Sequence, residues 1–450
     1  MEEKTVEIFE KSPVHKAVLK NAIPAMAAML MVLIYNLADT FFIGQTHDAI
    51  QVAAVSLATP VFLFFTSLGT IFGIGGTSVI SRALGEGRKE YAKKVCSFCM
   101  WGCVIVGIVV ALLFLAFIEP ILSLIGATAD TRELAKLYLI IVVCSSPFIL
   151  ISNCYSNVVR AEGRPGIAMM GQIIGNMMNV VLDPIMILGF GWDIAGAAIA
   201  TVIGNVIGAV FYILYYVRGG SILSISLKNF SIKNGVCYGV LIIGIPAALN
   251  SILLSISQIL VNGQISEYGD MAIAGMGVAI KILLITIMIC TGLGQGIQPL
   301  LGYCFGAKLW KRFNSVLKLS VVFAFIIGGL LTLVCYLFVN QIVSAFLTET
   351  SAFDYAVQFS KVMLISGPLL GIFFVLMNAL QAMGAATASF IVNISKQGII
   401  FIPTLIILRR IAGLSGIVWA QPVADIISFF LTLILYIIVY KKFISVQKGR

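Results

Sequence analysis

GIGGTSVISRALGEG (residues 73–87) and GQGIQPLLGYCFGAK (residues 294–308) are the two stretches that decide the fold. Laid over one another, Gly73 falls on Gly294, Gly75 on Gly296 and Gly85 on Gly306, each 221 positions on (294 − 73 = 221). The register holds outward from there. Pro147 meets Pro368 and Gly163 meets Gly384 at the same offset; Pro24 meets Pro246 at 222 and Gly196 meets Gly416 at 220. The chain therefore contains itself twice. Two like halves in an apolar chain are a common plan of secondary transporters, with the substrate path between the halves.

The 450 residues are 60% hydrophobic and 11% charged, with a mean hydropathy of +1.07. A soluble domain carries about 25% charged residues. Twelve stretches are long and apolar enough to cross a bilayer as helices: 18–40, 52–80, 94–118, 134–157, 167–190, 194–217, 236–260, 271–302, 314–338, 355–380, 387–408 and 414–440. Their length and composition exclude a β-barrel, whose strands are about ten residues of alternating pattern. Each half holds six, so the repeats are parallel. Residues 1–217 are read as the first lobe and 236–450 as the second. The Ser/Gly/Asn-rich segment RGGSILSISLKNFSIKNG (218–235) is the cytoplasmic linker.

The net charge of +10 does not point to nucleic acid. Lys and Arg fill every second loop, as the positive-inside rule asks of cytoplasmic loops. Lys4, Lys11, Lys16 and Lys20 lie in or beside the N-terminal tail, Arg88, Lys89, Lys93 and Lys94 in the second loop, and Lys441, Lys442, Lys448 and Arg450 at the end. Both termini are predicted cytoplasmic, and no signal peptide is read in the charged tail. Arg409 and Arg410 disagree, falling on the predicted outer side. The nine Cys have neither zinc-ligand nor disulfide-framework spacing, and no metal site is expected. The only His are His15 and His47, and there is no HExxH, GxSxG or P-loop motif, so an enzyme or an ATP-driven pump is not expected.

Polar residues inside spanning helices are costly and tend to mark ion or substrate pathways. YNLADTFFIG (35–44) puts Tyr35 and Asp39 on one face, with Asn36 beside them. GQIIGNMMNVVLDP (171–184) carries Gln172, Asn176, Asn179 and Asp183 at steps of four, three and four, one polar stripe through an apolar helix. Pro184 leaves the Val180 carbonyl without its helical donor. Thr201 and Asn205 share a face of the next span. A carboxylate withdrawn from water tends to hold a proton, the more so beside a second one, and can exchange it for a cation. Asp39, Asn179, Asp183 and Thr201 are thus read as a cation or proton site. Tyr35, Asn36, Asn176, Asn205, Gln258 and Asn262 are candidates for the substrate path. In the second half Ile402-Pro403 stands where Asp183-Pro184 does. Its charges are Lys281, Lys396 and Asp425, expected to form a structural ion pair of Asp425 with one of the lysines.

These residues resemble the multidrug and toxic compound extrusion (MATE) transporters, and among them the MepA-like bacterial branch. The marks are Pro24, YNLADTFFIG, AAVSLATP (53–60), GIGGTSVISRALGEG, RAEGRP (160–165), NVVLDPIMILGFG (179–191), DIAGAAIAT (193–201), IGIPAALN (243–250) and QAMG (381–384). The resemblance implies an all-α integral membrane protein of twelve transmembrane helices in two pseudo-symmetric six-helix lobes, V-shaped, in the bacterial cytoplasmic membrane. It implies multidrug efflux by antiport: bulky, often cationic, apolar compounds leave in exchange for inward H⁺ or Na⁺. No other cofactor is implied. The expected partners are drug-like cations and membrane lipids, with no nucleic acid, and the expected state is a monomer. The family's first-lobe cation site falls on Asp39, Asn179, Asp183 and Thr201, and its bending first helix on Pro24. Some relatives carry coupling acids on the seventh and tenth spans. Here those regions hold Gln258 and Asn378, which puts coupling on the first lobe. The alternative is a lipid-linked oligosaccharide flippase of the same superfamily, which would favour a strongly basic cavity. A receptor-like protein without transport is a further alternative.

Overall fold

The computed structural model describes residues 7–46, 48–346 and 350–448; Lys4, His47 and Arg450 lie outside them. The described chain is helical throughout, without strands. In chain order the main helices are α1 (Val14–Gly44), α2 (Ala49–Gly85), α3 (Lys89–Ala116), α4 (Ala129–Cys144), α5 (Ser146–Ala161), α6 (Pro165–Pro184) and α7 (Asp193–Val217). They are followed by α8 (Val236–Ile265), α9 (Asp270–Gly306), α10 (Trp310–Leu337), α11 (Thr350–Met363), α12 (Gly367–Ala382), α13 (Ala386–Ile394) and α14 (Ile402–Lys448).

Among the described residues ten helical runs are long and apolar enough to span a membrane. The pair α4–α5, bent by 57°, adds an eleventh. The bend falls at Ser145, and Pro147 in the first turn of α5 explains it: proline biases the residues before it away from helix and offers no N–H. The run Ala386–Phe443 holds two spans, because Gly413 breaks α14 with φ 58° and ψ −129°, a conformation that glycine adopts without strain. The twelve apolar stretches of the sequence are thus all helical, in a multi-pass membrane protein.

Two compact units form. The described residues of Met1–Ser12 and Ala27–Ala248 make one, and those of Pro13–Met26 and Leu249–Arg450 the other. The units cross the sequence halves: the first turns of α1 belong with the second unit, and those of α8 with the first. Pro24 and Pro246 each lie two residues before the crossing, inside helices that run unbroken.

The repeated glycines explain the packing within each unit. A Cβ on Gly75 would meet the Val240 carbonyl of α8, and one on Gly296 would sit 2.6 Å from the Asn21 carbonyl of α1. Gly73 and Gly294 face Asn157 and Asn378, at 3.0 Å and 2.6 Å from their amide nitrogens. Asn157 and Asn378 are themselves 221 apart. The opening stretch is therefore repeated because each copy lets helix backbones approach closely, a main route to association where no water drives it.

The linker lies on α3 of the first unit. Ser97 Oγ donates to the Ser226 carbonyl at 2.8 Å and Trp101 Nε1 to the Ile225 carbonyl at 3.0 Å. Next to it Glu162, just after α5, is buried and accepts a hydrogen bond from Ser221 Oγ. Burial pushes its carboxyl up to about 7, against the lowering effect of Ser221 and Tyr215. On another edge of the fold Arg409 pairs with Glu267, both in the second unit, so the discordant arginine has an acid partner.

Candidate functional site

The first unit gathers the polar stripe of α6, the polar face of α7 and the second half of α1. The backbones of α6 and α7 come close at glycines: a Cβ on Gly175 would lie 2.8 Å from the Gly204 carbonyl, and one on Gly204 2.7 Å from the Gly175 carbonyl. This approach lets two short side chains meet across the interface. Asn179 Nδ2 donates to Thr201 Oγ1 at 3.2 Å, with both residues buried. Asn205 Nδ2 donates to the Thr201 carbonyl at 2.9 Å. One turn beyond Asn179, Pro184 closes α6 and the chain continues as one turn of π-helix, Ile185–Gly189, a feature frequent at functional sites.

Asp183 is fully buried, and neither carboxylate oxygen has a hydrogen-bond partner. Asp39 on α1 is partly buried, and its Oδ1 is withdrawn from solvent and unpartnered. The two acids are close enough for their charges to interact. Tyr35 and Tyr138, from α1 and α4, lie in the field of both acids and beside Thr201. An uncompensated carboxylate in such a place costs several kcal/mol, so it is discharged by a proton or matched by a cation.

Beside these groups opens a cavity of about 640 Å³, lined by Tyr35, Asn176, Asn179, Thr201 and Asn205 among others. Of the other sequence candidates, Asn36 is exposed. Sequence reading missed Tyr138, and also Thr66, Ser152 and Asn153, which line the cavity from α2 and α5. The spacing of Asn153 and Asn157, four apart on α5, was the available signal. Tyr138 had none, being the lone aromatic of α4 with no polar residue at helical spacing on its apolar C-terminal side.

In the second unit Asp425 and Lys396 come together, with Nζ 3.7 Å from Oδ1. Ser366 Oγ donates to Asp425 Oδ2 at 3.0 Å, and Gln421 Nε2 to Oδ1 at 3.0 Å. A π-helical turn, Ser395–Phe401, carries Lys396. The ammonium lies 4.4 Å and 4.6 Å from the ring centres of Phe373 and Phe374. Lys281 has no part in this pair: it sits over the Phe346 ring at 5.7 Å. Gln258 lines a second cavity, and Asn262 is exposed.

A family model, MatE, matches residues 24–185 and again 246–407, in the same register as the repeat. The chain belongs to the MatE family. Among relatives of this MatE chain, the multidrug export protein MepA of Staphylococcus aureus is 32% identical over 425 residues, covering 94% of both chains. That of Staphylococcus saprophyticus is 32% identical over 429 residues, covering 95% of this chain and 94% of the relative. Two solved structures share the MatE fold. A MATE crystal structure in complex with MaL6 aligns with a TM-score of 0.93 at 24% identity, over 99% of this chain and 100% of that one. An outward-facing multidrug resistance MATE transporter of the MOP superfamily gives 0.93 at 23% identity over 99% of each.

Proposed function

We propose that this MatE protein is a multidrug efflux antiporter. It exports bulky, apolar, often cationic compounds in exchange for inward H⁺ or Na⁺. The relatives named as multidrug export proteins support the efflux. The observation that carries the exchange is the fully buried Asp183, unpartnered and within the field of Asp39, beside a polar cavity. The acids take up an ion or yield it as the cavity loads with cargo. In the second unit Val261 stands where Asp39 does and Ile402 where Asp183 does, while Asp425 already has Lys396. Coupling therefore rests on the first unit.

One elementary charge moving inward is worth about 2.3 kcal/mol per 100 mV. At roughly 150 mV, one ion sustains about a 300-fold gradient of a neutral compound. For a monovalent cation exchanged one for one the potential cancels, and only the ion gradient drives export. The protein acts as a monomer in the bacterial cytoplasmic membrane, both termini inside. The test is dye efflux from reconstituted vesicles with sodium and pH gradients imposed separately. One of the two gradients drives efflux, and Asp183→Asn abolishes it; efflux that ignores both gradients sinks the proposal.

A further inference from the structure

The second unit holds a cavity of about 740 Å³ that the coupling scheme does not use. It is the repeat-equivalent of the polar cavity in the first unit. Ser257 stands for Tyr35, Gln397 for Asn176 and Gln421 for Thr201, at offsets of 222, 221 and 220. The internal duplication thus delivered two cavities at the same place in each copy, and they have diverged in chemistry.

Three positions stay polar, and the rest of the wall is apolar. Thr66 is answered by Ile287 and Phe62 by Leu283, with Met276, Met288, Met363 and Phe401 beside them. Thioethers and a flat ring make an adaptable apolar surface. A few polar groups among apolar walls are the usual make-up of a ligand pocket. Those polar groups are the amides of Gln258, Gln397 and Gln421 and the Ser257 hydroxyl, which donates to the Gln397 carbonyl. Gln421 spends its nitrogen on Asp425, so its oxygen is the end left for a ligand. Gln397 Oε1, at the wall, is withdrawn from solvent and has no hydrogen-bond partner, a deficit that a bound donor would relieve. The acid behind the wall, Asp425, is already neutralised. Lys396 occupies the position of Gly175 in the first copy and acts as a tethered cation where a free one would otherwise be attracted.

We propose that the second unit's cavity binds uncharged, apolar aromatic molecules that carry a hydrogen-bond donor. The two cavities then divide ligands by charge: the first, beside Asp39 and Asp183, takes cations, and the second takes neutral compounds.

The test uses purified full-length protein in detergent and tritiated N-phenyl-1-naphthylamine, a neutral amine with three aromatic rings and one N–H, read by scintillation proximity. The protein binds the probe saturably, and tetraphenylphosphonium, a cation without a donor, does not compete. Met288→Trp fills the cavity and weakens binding tenfold or more. Gln397→Met keeps the volume but removes the acceptor, and weakens binding about fivefold. Lys396→Met leaves Asp425 unmatched, and tetraphenylphosphonium now competes, a gain that misfolding does not produce. The proposal is overturned if saturable binding is absent. It is overturned equally if binding survives Met288→Trp and Gln397→Met, or is lost only with Asn176→Trp in the first unit. No gradient enters the assay, so its outcome is independent of whether Asp183 couples an ion.

Discussion

Removing either member of the Lys396–Asp425 pair should be far more damaging than removing both. Asp425 is 2% exposed and is met by one ammonium and two neutral donors. Lys396 is 6% exposed and stacks against two phenylalanine rings. Lys396→Met keeps the length of the side chain and its ring contacts but strands a buried carboxylate. Breaking a buried pair in this way costs about 3–5 kcal/mol. In a body of 150–250 residues each kcal/mol moves the unfolding midpoint by about 2–4 °C, so the single variant should melt roughly 6–20 °C lower. Asp425→Asn strands the ammonium and should fall in the same range, softened by about 1–2 kcal/mol of cation–π attraction. The double variant has no buried charge at this site and should return to within about 4 °C of the parent. The assay is thermal unfolding in detergent, followed by the fraction that stays monodisperse, for all four members of the cycle. Additive losses in the double variant would refute the reasoning, because they would mean that the two groups are stabilised separately.

Three further outcomes follow from the geometry. Gly204→Val places a Cβ 2.7 Å from the Gly175 carbonyl, so it should destabilise by about 1–3 kcal/mol or more and pull Thr201 away from Asn179, whereas Gly277→Ala, at an exposed helix position with open space around it, should leave the melting point unchanged or raise it by a few degrees. Glu162 holds its proton more tightly folded, about 7, than in an unfolded chain, so its contribution to stability is fully present below about pH 4.5 and declines as pH rises through 7. By linkage that decline is at most about 3 kcal/mol; Glu162→Gln should melt higher than the parent at pH 8 and show a flatter pH profile, and an identical profile would contradict the burial argument. Thr201→Val removes the acceptor of the buried Asn179 amide; it should weaken ion-driven efflux about tenfold and cost about 1–3 kcal/mol, or roughly 2–12 °C in the melting point.

The fold was legible because duplication writes the same constraint twice. Gly75 and Gly296 mark the same helix approach in each unit, and a single alignment of the chain with itself exposes it. The stripe of α6 was equally legible, since polar residues at helical spacing stand out against an apolar background. Partner choice was not. Lys281 and Lys396 were equal candidates for Asp425 by composition, and the π-helical turn that carries Lys396 has no sequence signature. The crossing of α1 and α8 between units was also hidden, because the residues on either side of Pro24 and Pro246 are alike in hydropathy. The walls of both cavities were only partly visible: Asn153 had only its four-residue spacing from Asn157, and Gln397 becomes a site residue through tertiary placement, not through any local pattern.

The most direct test of the account is ion release on loading. Purified protein in weakly buffered detergent is given tetraphenylphosphonium, and protons are followed with a pH dye and sodium with a radioactive tracer. The account predicts that cargo displaces one of the two ions from the parent and neither from Asp183→Asn. Undiminished release from Asp183→Asn would contradict it.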